Sequence, residues 1–372
     1  MRTDNNQNVF FELLRAGLWE REAHLSQYEN VDYDAIMQLA EEQTVIGLVT
    51  AGLEHVVDVK VPQDKLLQYI GYVLQMEQQN QAMNAFIGSI MERLNAEGID
   101  AVLIKGQGVA QCYERPLWRS AGDVDLLLND ENYTKGKPFL SRISETKPEE
   151  YSFNKEFITN VGGWCIELHG SLRSALSTGF NNGVDDLQYN ICDSCQIRYW
   201  ENNGKKIPLP EENNDVLVVF THYVKHFYKG GLGVRQICDW IRLIWKYRET
   251  IDGTLLEERL QKMGLLNEWR AFAAYAVEYL GIPFTVMPLY SGDAKWTRKA
   301  KKIQEFIISS GNFGHNSDVS YFVKYPFLIR KTVSMWHRVK AMLQHASIFP
   351  FQTVQYLPHV LYSGLWSAVR GE

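Results

Sequence analysis

The sequence is poor in the features that mark a secreted, membrane-spanning or nucleic-acid-coating protein. It has five cysteines in 372 residues, Cys112, Cys165, Cys192, Cys195 and Cys238. An odd number at irregular spacing builds no disulfide framework, so free thiols and a cytoplasmic location are expected. No apolar run approaches the roughly 18 residues that signal a membrane span, and none is expected. The apolar stretch after the N-terminus is broken by Glu12 and Arg15, so it does not read as a signal peptide. Positive charge is not in excess either: the formal net charge is −6, which argues against a protein devoted to coating nucleic acid and leaves room for a local basic patch. Internal repeats and low-complexity tracts are absent.

What is present is an ordinary globular composition, 45% hydrophobic and 22% charged, in a chain long enough for roughly two or three domains and a sizeable core. Residues 9–95 read as helices, because Ile36, Leu39, Ala40, Ile46, Leu48 and Val49, then Leu66, Ile70, Val73, Met83, Phe86, Ile87, Ile90 and Leu94, recur at near-helical spacing. Pro62 and Gly98 mark a start and an end. The texture changes at Ile99. Ala101 to Ile104 predicts a buried strand, Gln107 to Tyr113 a helix broken by Pro116, Asp123 to Leu128 a second strand, and Trp164 to His169 a third after Gly162-Gly163. From Pro210 the chain turns helical again, over Asp215 to about Lys229, Val234 to Tyr247 and Leu255 to Gly281. This pattern predicts an α+β fold: a helical region at 1–95, a mixed-sheet core at 96–205 and a helical domain at 206–372.

The chemistry concentrates in the core. Side chains two apart on a strand share a face, so Asp123 and Asp125 project together while Val124 and Leu126 turn the other way. Two like charges held this close repel each other, and a divalent cation is the usual compensation. On this reading, replacing either aspartate with Asn relieves the repulsion. Glu167 on the next strand is the candidate third acid, and His169, two residues on, shares its face. Gly106 and Gly108 stand at a strand-to-helix turn where backbone N–H groups can approach phosphates. Lys105 and Arg119 add positive charge near them.

The block Leu103-Ile-Lys-Gly-Gln-Gly-Val-Ala110, with Tyr113, Pro116, Arg119 and Gly122-Asp-Val-Asp-Leu-Leu-Leu128, resembles the uncharacterised nucleotidyltransferase family of the DNA-polymerase-β-like superfamily. The resemblance takes in the helical leader and Val234-Arg-Gln-Ile-Cys-Asp-Trp240. It implies a nucleotidyltransferase fold, Asp123 and Asp125 as paired metal ligands and Glu167 as the third acid. Where the superfamily usually has Gly followed by Ser or Gly, this chain has Gly106-Gln107. The expected reaction is transfer of a nucleoside monophosphate from an NTP to an acceptor such as a sugar phosphate, RNA or protein, with Mg²⁺ or Mn²⁺ on the carboxylates. Two rival expectations are a metal-dependent glycosyltransferase using a nucleotide-sugar and a non-catalytic nucleotide-binding protein that keeps the fold.

Other motifs are less pointed. His222 and His226 share a helix face, as do Arg235 and Asp239, and all four are candidates for the far wall of a substrate cleft. Cys192-Asp-Ser-Cys195 lacks the second pair that zinc requires and reads as ordinary thiols. Residues 293–342 hold ten Lys/Arg against three Asp/Glu, interleaved with Trp296, Phe306, Tyr325, Phe327 and Trp336. That texture suits an anionic partner, but a solvated helix face over an aromatic core is the favoured reading.

Overall fold

The computed structural model of the chain describes residues 2–152, 154–229, 231–310, 345–356 and 358. The helical leader consists of α1 (Arg2–Trp19), α2 (Tyr33–Glu42), α3 (Ile46–Glu54) and α4 (Gln63–Ala96). Asp32 caps α2 by accepting from the Ala35 N–H at 3.1 Å, which satisfies one of the donors a helix leaves free at its start. Gly98, at φ +66°, turns the chain out of α4. At 34 residues, α4 is about 50 Å long. It buries Met83, Ile87, Ile90 and Leu94, spaced so that they fall on one face.

The core then alternates: β1 (Val102–Ile104), α5 (Gly106–Ala110), β2 (Asp123–Leu127), α6 (Asp130–Ile143), β3 (Glu149–Tyr151), β4 (Glu156–Val161), β5 (Trp164–His169) and α7 (Thr178–Cys192). The strands form one mixed sheet in the order β1-β2-β5-β4-β3, with β2 and β5 parallel and the other neighbours antiparallel. A separate hairpin, β6 (Ile197–Asn202) and β7 (Lys205–Pro210), follows. The fold is thus the expected α+β mixed sheet with added helices. Sequence reasoning found β1, β2 and β5 and missed the other four strands. Gly162 and Gly163, at φ +60° and +77°, are the turn of a β4–β5 hairpin. Asn203 and Gly204, at +51° and +79°, turn β6 into β7. Both pairs meet the two positive φ angles that tight hairpins require.

The sheet has an apolar and a polar face. Val124, Leu126, Ile166, Leu168, Phe157 and Val161 are buried with the α4 row and with Phe139 and Leu140 of α6. Asp123, Asp125, Glu167 and His169 occupy the alternate positions of β2 and β5 and therefore the other face. Beyond the hairpin come α8 (Glu212–Lys229), α9 (Val234–Lys246), α10 (Gly253–Met263), α11 (Leu266–Tyr275), a π-helical turn over Ala276–Leu280, and α12 (Ala294–Ser310). Their core is aromatic: Trp269 lies 4.7 Å from Phe220 and 4.6 Å from Trp240, centroid to centroid. Phe10, Leu13 and Leu14 of α1 belong to the same core. Arg242, buried on α9, ties these parts together by donating to the carbonyls of Leu18 and Cys112 and to Glu114.

Helix α12 buries Trp296, Ala300, Ile303, Phe306 and Ile307 and exposes Lys301 and Lys302, the ordinary amphipathic arrangement. Tyr325, Phe327 and Trp336 lie outside the described residues. All five cysteines are free. No helix among the described residues is long and apolar enough to cross a membrane.

One buried acid in this core makes stability depend on pH. Glu268 is fully buried, accepts from the Tyr228 hydroxyl at 2.8 Å, and leaves Oε2 without a hydrogen-bond partner among the described residues. Burial pushes its carboxyl from 4.5 up to about 7. The folded state therefore holds the proton more tightly than the unfolded chain, and stability is lost as pH rises from about 4.5 through about 7, by roughly 3 kcal/mol. Glu268→Gln cannot ionise, so it is expected to melt well above the wild type at pH 8 and close to it at pH 4. An equal difference at both pH values, measured by calorimetry, would contradict an ionising Glu268.

Candidate active site

The polar face of the sheet forms the floor of a cleft of about 180 Å³, closed by α8 and α9. In the parallel β2–β5 register, Asp123 is opposite Cys165, Asp125 opposite Glu167 and Leu127 opposite His169. The two aspartates, Glu167 and His169 all line the cleft, together with Lys105, Gly106, Arg119, His222, His226, Arg235 and Asp239. Gly108 does not. It packs against Leu209 of β7, whose Cδ2 would stand 2.8 Å from a Cβ at this position, so its lack of a side chain serves packing.

Asp125 is the most enclosed of the acids, at 3% exposure. Its Oδ1 accepts from Lys105 Nζ at 2.6 Å and stands 2.7 Å from His169 Nε2. Burial alone would raise its carboxyl, but the Lys105 ammonium and His169 hold it well below the usual carboxylate range. Lys105 follows β1 at φ +57°, ψ −147°, a sparsely populated conformation for a residue with a Cβ. The Lys105–Asp125 pair, both side chains largely buried, holds that backbone in place. Burial works against the ammonium, yet Asp125 and Asp123 keep it protonated above its ordinary value. Burial, then the Lys105 charge, pushes His222 well below its ordinary value. A neutral His222 accepts from Lys105 Nζ at Nδ1, 3.3 Å away.

Asp123 and Glu167 are less well compensated, Glu167 standing 3.6 Å from the same His169 Nε2. The Asp125 charge, then burial, raises Asp123. Burial, then Asp125 and Asp123, pushes Glu167 up to about 8. One ligating atom each from Asp125, Glu167 and His169 lie within 4.8 Å of one another. Asp123 lines the same cleft and stands outside that set.

Arg119 is occupied. Its Nε and one terminal nitrogen donate to the two carboxylate oxygens of Asp239 at 2.7 and 2.8 Å, and the Tyr113 hydroxyl donates to the same Oδ1 at 2.8 Å. Arg119, expected at a phosphate, and Asp239, expected in the substrate cleft, both line the cleft and form a clamp that fixes the loop entering β2. His222 and His226 lie with ring centroids 4.5 Å apart. Sequence reasoning missed Glu156 of β4, with its oxygen 3.9 Å from His169 Nδ1, and Lys225 of α8. The alternation in Glu156–Val161 was the signal for β4. Lys225 shares a helix face with His222 by its spacing of three.

The class of protein follows from this sheet and its acid-lined cleft taken with the known families. The model of the uncharacterised nucleotidyltransferase family matches residues 29–281, and the chain belongs to that family. Among solved structures it is similar to an antigenic nucleotidyltransferase-like protein from Paracoccidioides brasiliensis, at 14% identity over 55% of this chain and 95% of that one, with a TM-score of 0.33. No curated protein matches.

Replacing one half of the clamp tests it. Asp239→Asn leaves the Arg119 guanidinium buried without its counter-ion and is expected to lose about 3–5 kcal/mol of unfolding free energy. Tyr113→Phe, which removes one hydrogen bond, is expected to lose roughly 1 kcal/mol. Urea denaturation in which Asp239→Asn is no worse than Tyr113→Phe would show that the pair does not hold the loop.

Proposed function

We propose that this chain moves a nucleoside monophosphate from an NTP to an acceptor hydroxyl or phosphate and releases pyrophosphate. The observation that carries this reading is the gathering of Asp123, Asp125 and Glu167 on one sheet face, in one cleft with Lys105 and Arg235. The donor set fits a hard divalent cation, because carboxylate oxygens dominate it and a bound cation would favour the ionised forms of Asp123 and Glu167, which burial and the neighbouring carboxylates disfavour. Asp125 and Glu167 would hold Mg²⁺ or Mn²⁺, with Asp123 and His169 beside them. Such an ion, when bound, neutralises phosphoryl charge and lowers the pKa of the attacking hydroxyl.

The rest of the chemistry belongs to the chain. Asp125, anchored by Lys105 and His169, offers its free oxygen in a fixed direction, so little reorganisation opposes the reaction. The acceptor oxygen bonds to the α-phosphorus, its proton passes to Glu167 in the ionised form that a neighbouring cation would favour, and the bond to pyrophosphate breaks with its electrons leaving on the pyrophosphate oxygen. Lys105 and Gly106 line the cleft beside the carboxylates. His222, His226 and the Arg119–Asp239 clamp form the wall supplied by the helical side. The acceptor is a sugar phosphate, an RNA or a protein, the compartment the cytoplasm, and the division at 96 and 206 separates the catalytic core from its helical flanks. One observation favours a second reading, a non-catalytic nucleotide binder: Gln107, which stands where the superfamily has Ser or Gly, turns inward and donates to Asn80 Oδ1 at 2.8 Å.

Turnover of radiolabelled NTPs against sugar phosphates, tRNA and the protein itself separates these readings. Asp123→Asn and Asp125→Asn are each expected to reduce turnover by about 10²–10³-fold or more. Their melts in metal-free buffer should differ in sign. Asp123→Asn removes a repulsion and melts at or above the wild type. Asp125→Asn strips Lys105 of its counter-ion and melts below it, which corrects the expectation that either substitution would relieve strain. NTP binding without turnover in the wild type would leave the binder. Turnover of nucleotide-sugars alone would leave the glycosyltransferase.

A further inference from the structure

The cleft cations differ in what already neutralises them. Lys105 is paired with Asp125 and Arg119 with Asp239. For Arg235, no carboxylate among the described residues lies within ion-pair distance. Among the described residues it makes one hydrogen bond, from a terminal nitrogen to the Ser120 carbonyl at 2.7 Å, and its Nε is buried and meets no acceptor. The Nε edge of the fork is thus unclaimed, on a residue that lines the cleft with Asp123.

The surroundings make this arrangement costly. Arg235 sits in the first turn of α9, where the helix adds partial positive charge of its own. Burial, then the neighbouring Arg119, lowers the pKa of its guanidinium, against the pull of Asp239 and Asp123. A half-buried cation with no carboxylate within ion-pair distance gains when a ligand supplies the missing charge. A guanidinium that lines the cleft with no carboxylate partner is suited to a charge-assisted hydrogen bond to a phosphate oxygen.

The glycine turn is poorly fitted to the same task. Gln107 points away, toward Asn80 of α4. Gly108 is packed against Leu209. The helix that follows, α5, has five residues, too few to gather much dipole at its start.

We propose that Arg235 on α9, and not the turn at Gly106–Gly108, is the residue that grips the substrate's phosphates, an inference that rests on the nucleotidyl transfer proposed above. The phosphate grip then stands on the helical side of the cleft and not on the sheet side. Substrate binding therefore couples the two sides of the cleft, because the carboxylates stand on β2 and β5 and the phosphate ligand on α9.

The test is calorimetric titration of the full chain with inorganic triphosphate and, separately, with Mn²⁺, for the wild type, Arg235→Gln, Arg235→Lys and Gln107→Met. A charge-assisted hydrogen bond is worth about 1.5–3 kcal/mol, so Arg235→Gln is expected to weaken triphosphate binding about 10- to 100-fold. Arg235→Lys keeps the charge without the fork and should fall between, and it carries the test if the Gln variant does not fold. Gln107→Met should bind triphosphate as the wild type does, and all four proteins should bind Mn²⁺ alike. Triphosphate binding unchanged in both Arg235 variants, absent in the wild type, or lost equally in Gln107→Met would overturn the inference. Triphosphate held through Arg235 in a protein that binds no Mn²⁺ would instead remove the metal-dependent transfer and leave the anion site standing.

Discussion

Asp125 is a buried carboxylate whose single oxygen Oδ1 is met by Lys105 Nζ and His169 Nε2, and the geometry of the cleft depends on that junction. The strand register places Asp125 between Asp123 on its own strand and Glu167 on the neighbour. Three carboxylates cannot all ionise freely at that separation. The protein resolves the conflict unequally. It keeps Asp125 charged by supplying a cation, and leaves Asp123 and Glu167 raised. The strained backbone at Lys105 is explained by the same need, since the residue must turn its ammonium back onto β2 immediately after leaving β1.

A second junction lies across the cleft. Arg119, Asp239 and Tyr113 come from the loop before β2, from α9 and from the segment after α5, and they meet in one buried cluster. Arg242, one turn along α9, reaches the carbonyls of Leu18 and Cys112. Helix α9 is therefore held on both the sheet side and the leader side, which makes it a rigid platform for Arg235. A phosphate ligand on such a platform is more precisely placed than one on a five-residue helix.

How much of this was legible in the sequence follows from the range of each interaction. Asp123 and Asp125 were readable because strand periodicity puts them on one face and their apolar neighbours on the other, and Glu167 and His169 were readable for the same reason. Strand β3 was not, because Glu149–Tyr151 is an exposed edge with no buried face to leave an apolar pattern. The pairing of Arg119 was not legible because its partner lies 120 residues away, and a lone Arg before two acids looks the same whether it meets a phosphate or a carboxylate. The packing at Gly108 was hidden for a related reason. The sequence signals that a side chain is excluded there, and only the packing of β7 shows that Leu209, not a ligand, excludes it. Arg235 was singled out by its spacing from Asp239, but that no carboxylate among the described residues pairs with it is a property of the assembled cleft.

The central claim is that one cleft joins the carboxylates of β2 and β5 to a phosphate grip on α9. The most direct measurement is a crystal structure of the chain with a non-hydrolysable NTP analogue and Mn²⁺, the ion located by its anomalous signal. The account predicts an anomalous peak between Asp125 and Glu167 and phosphate oxygens on the Arg235 guanidinium in the same cleft. An ion bound away from these carboxylates, or a triphosphate seated outside the cleft, would contradict it.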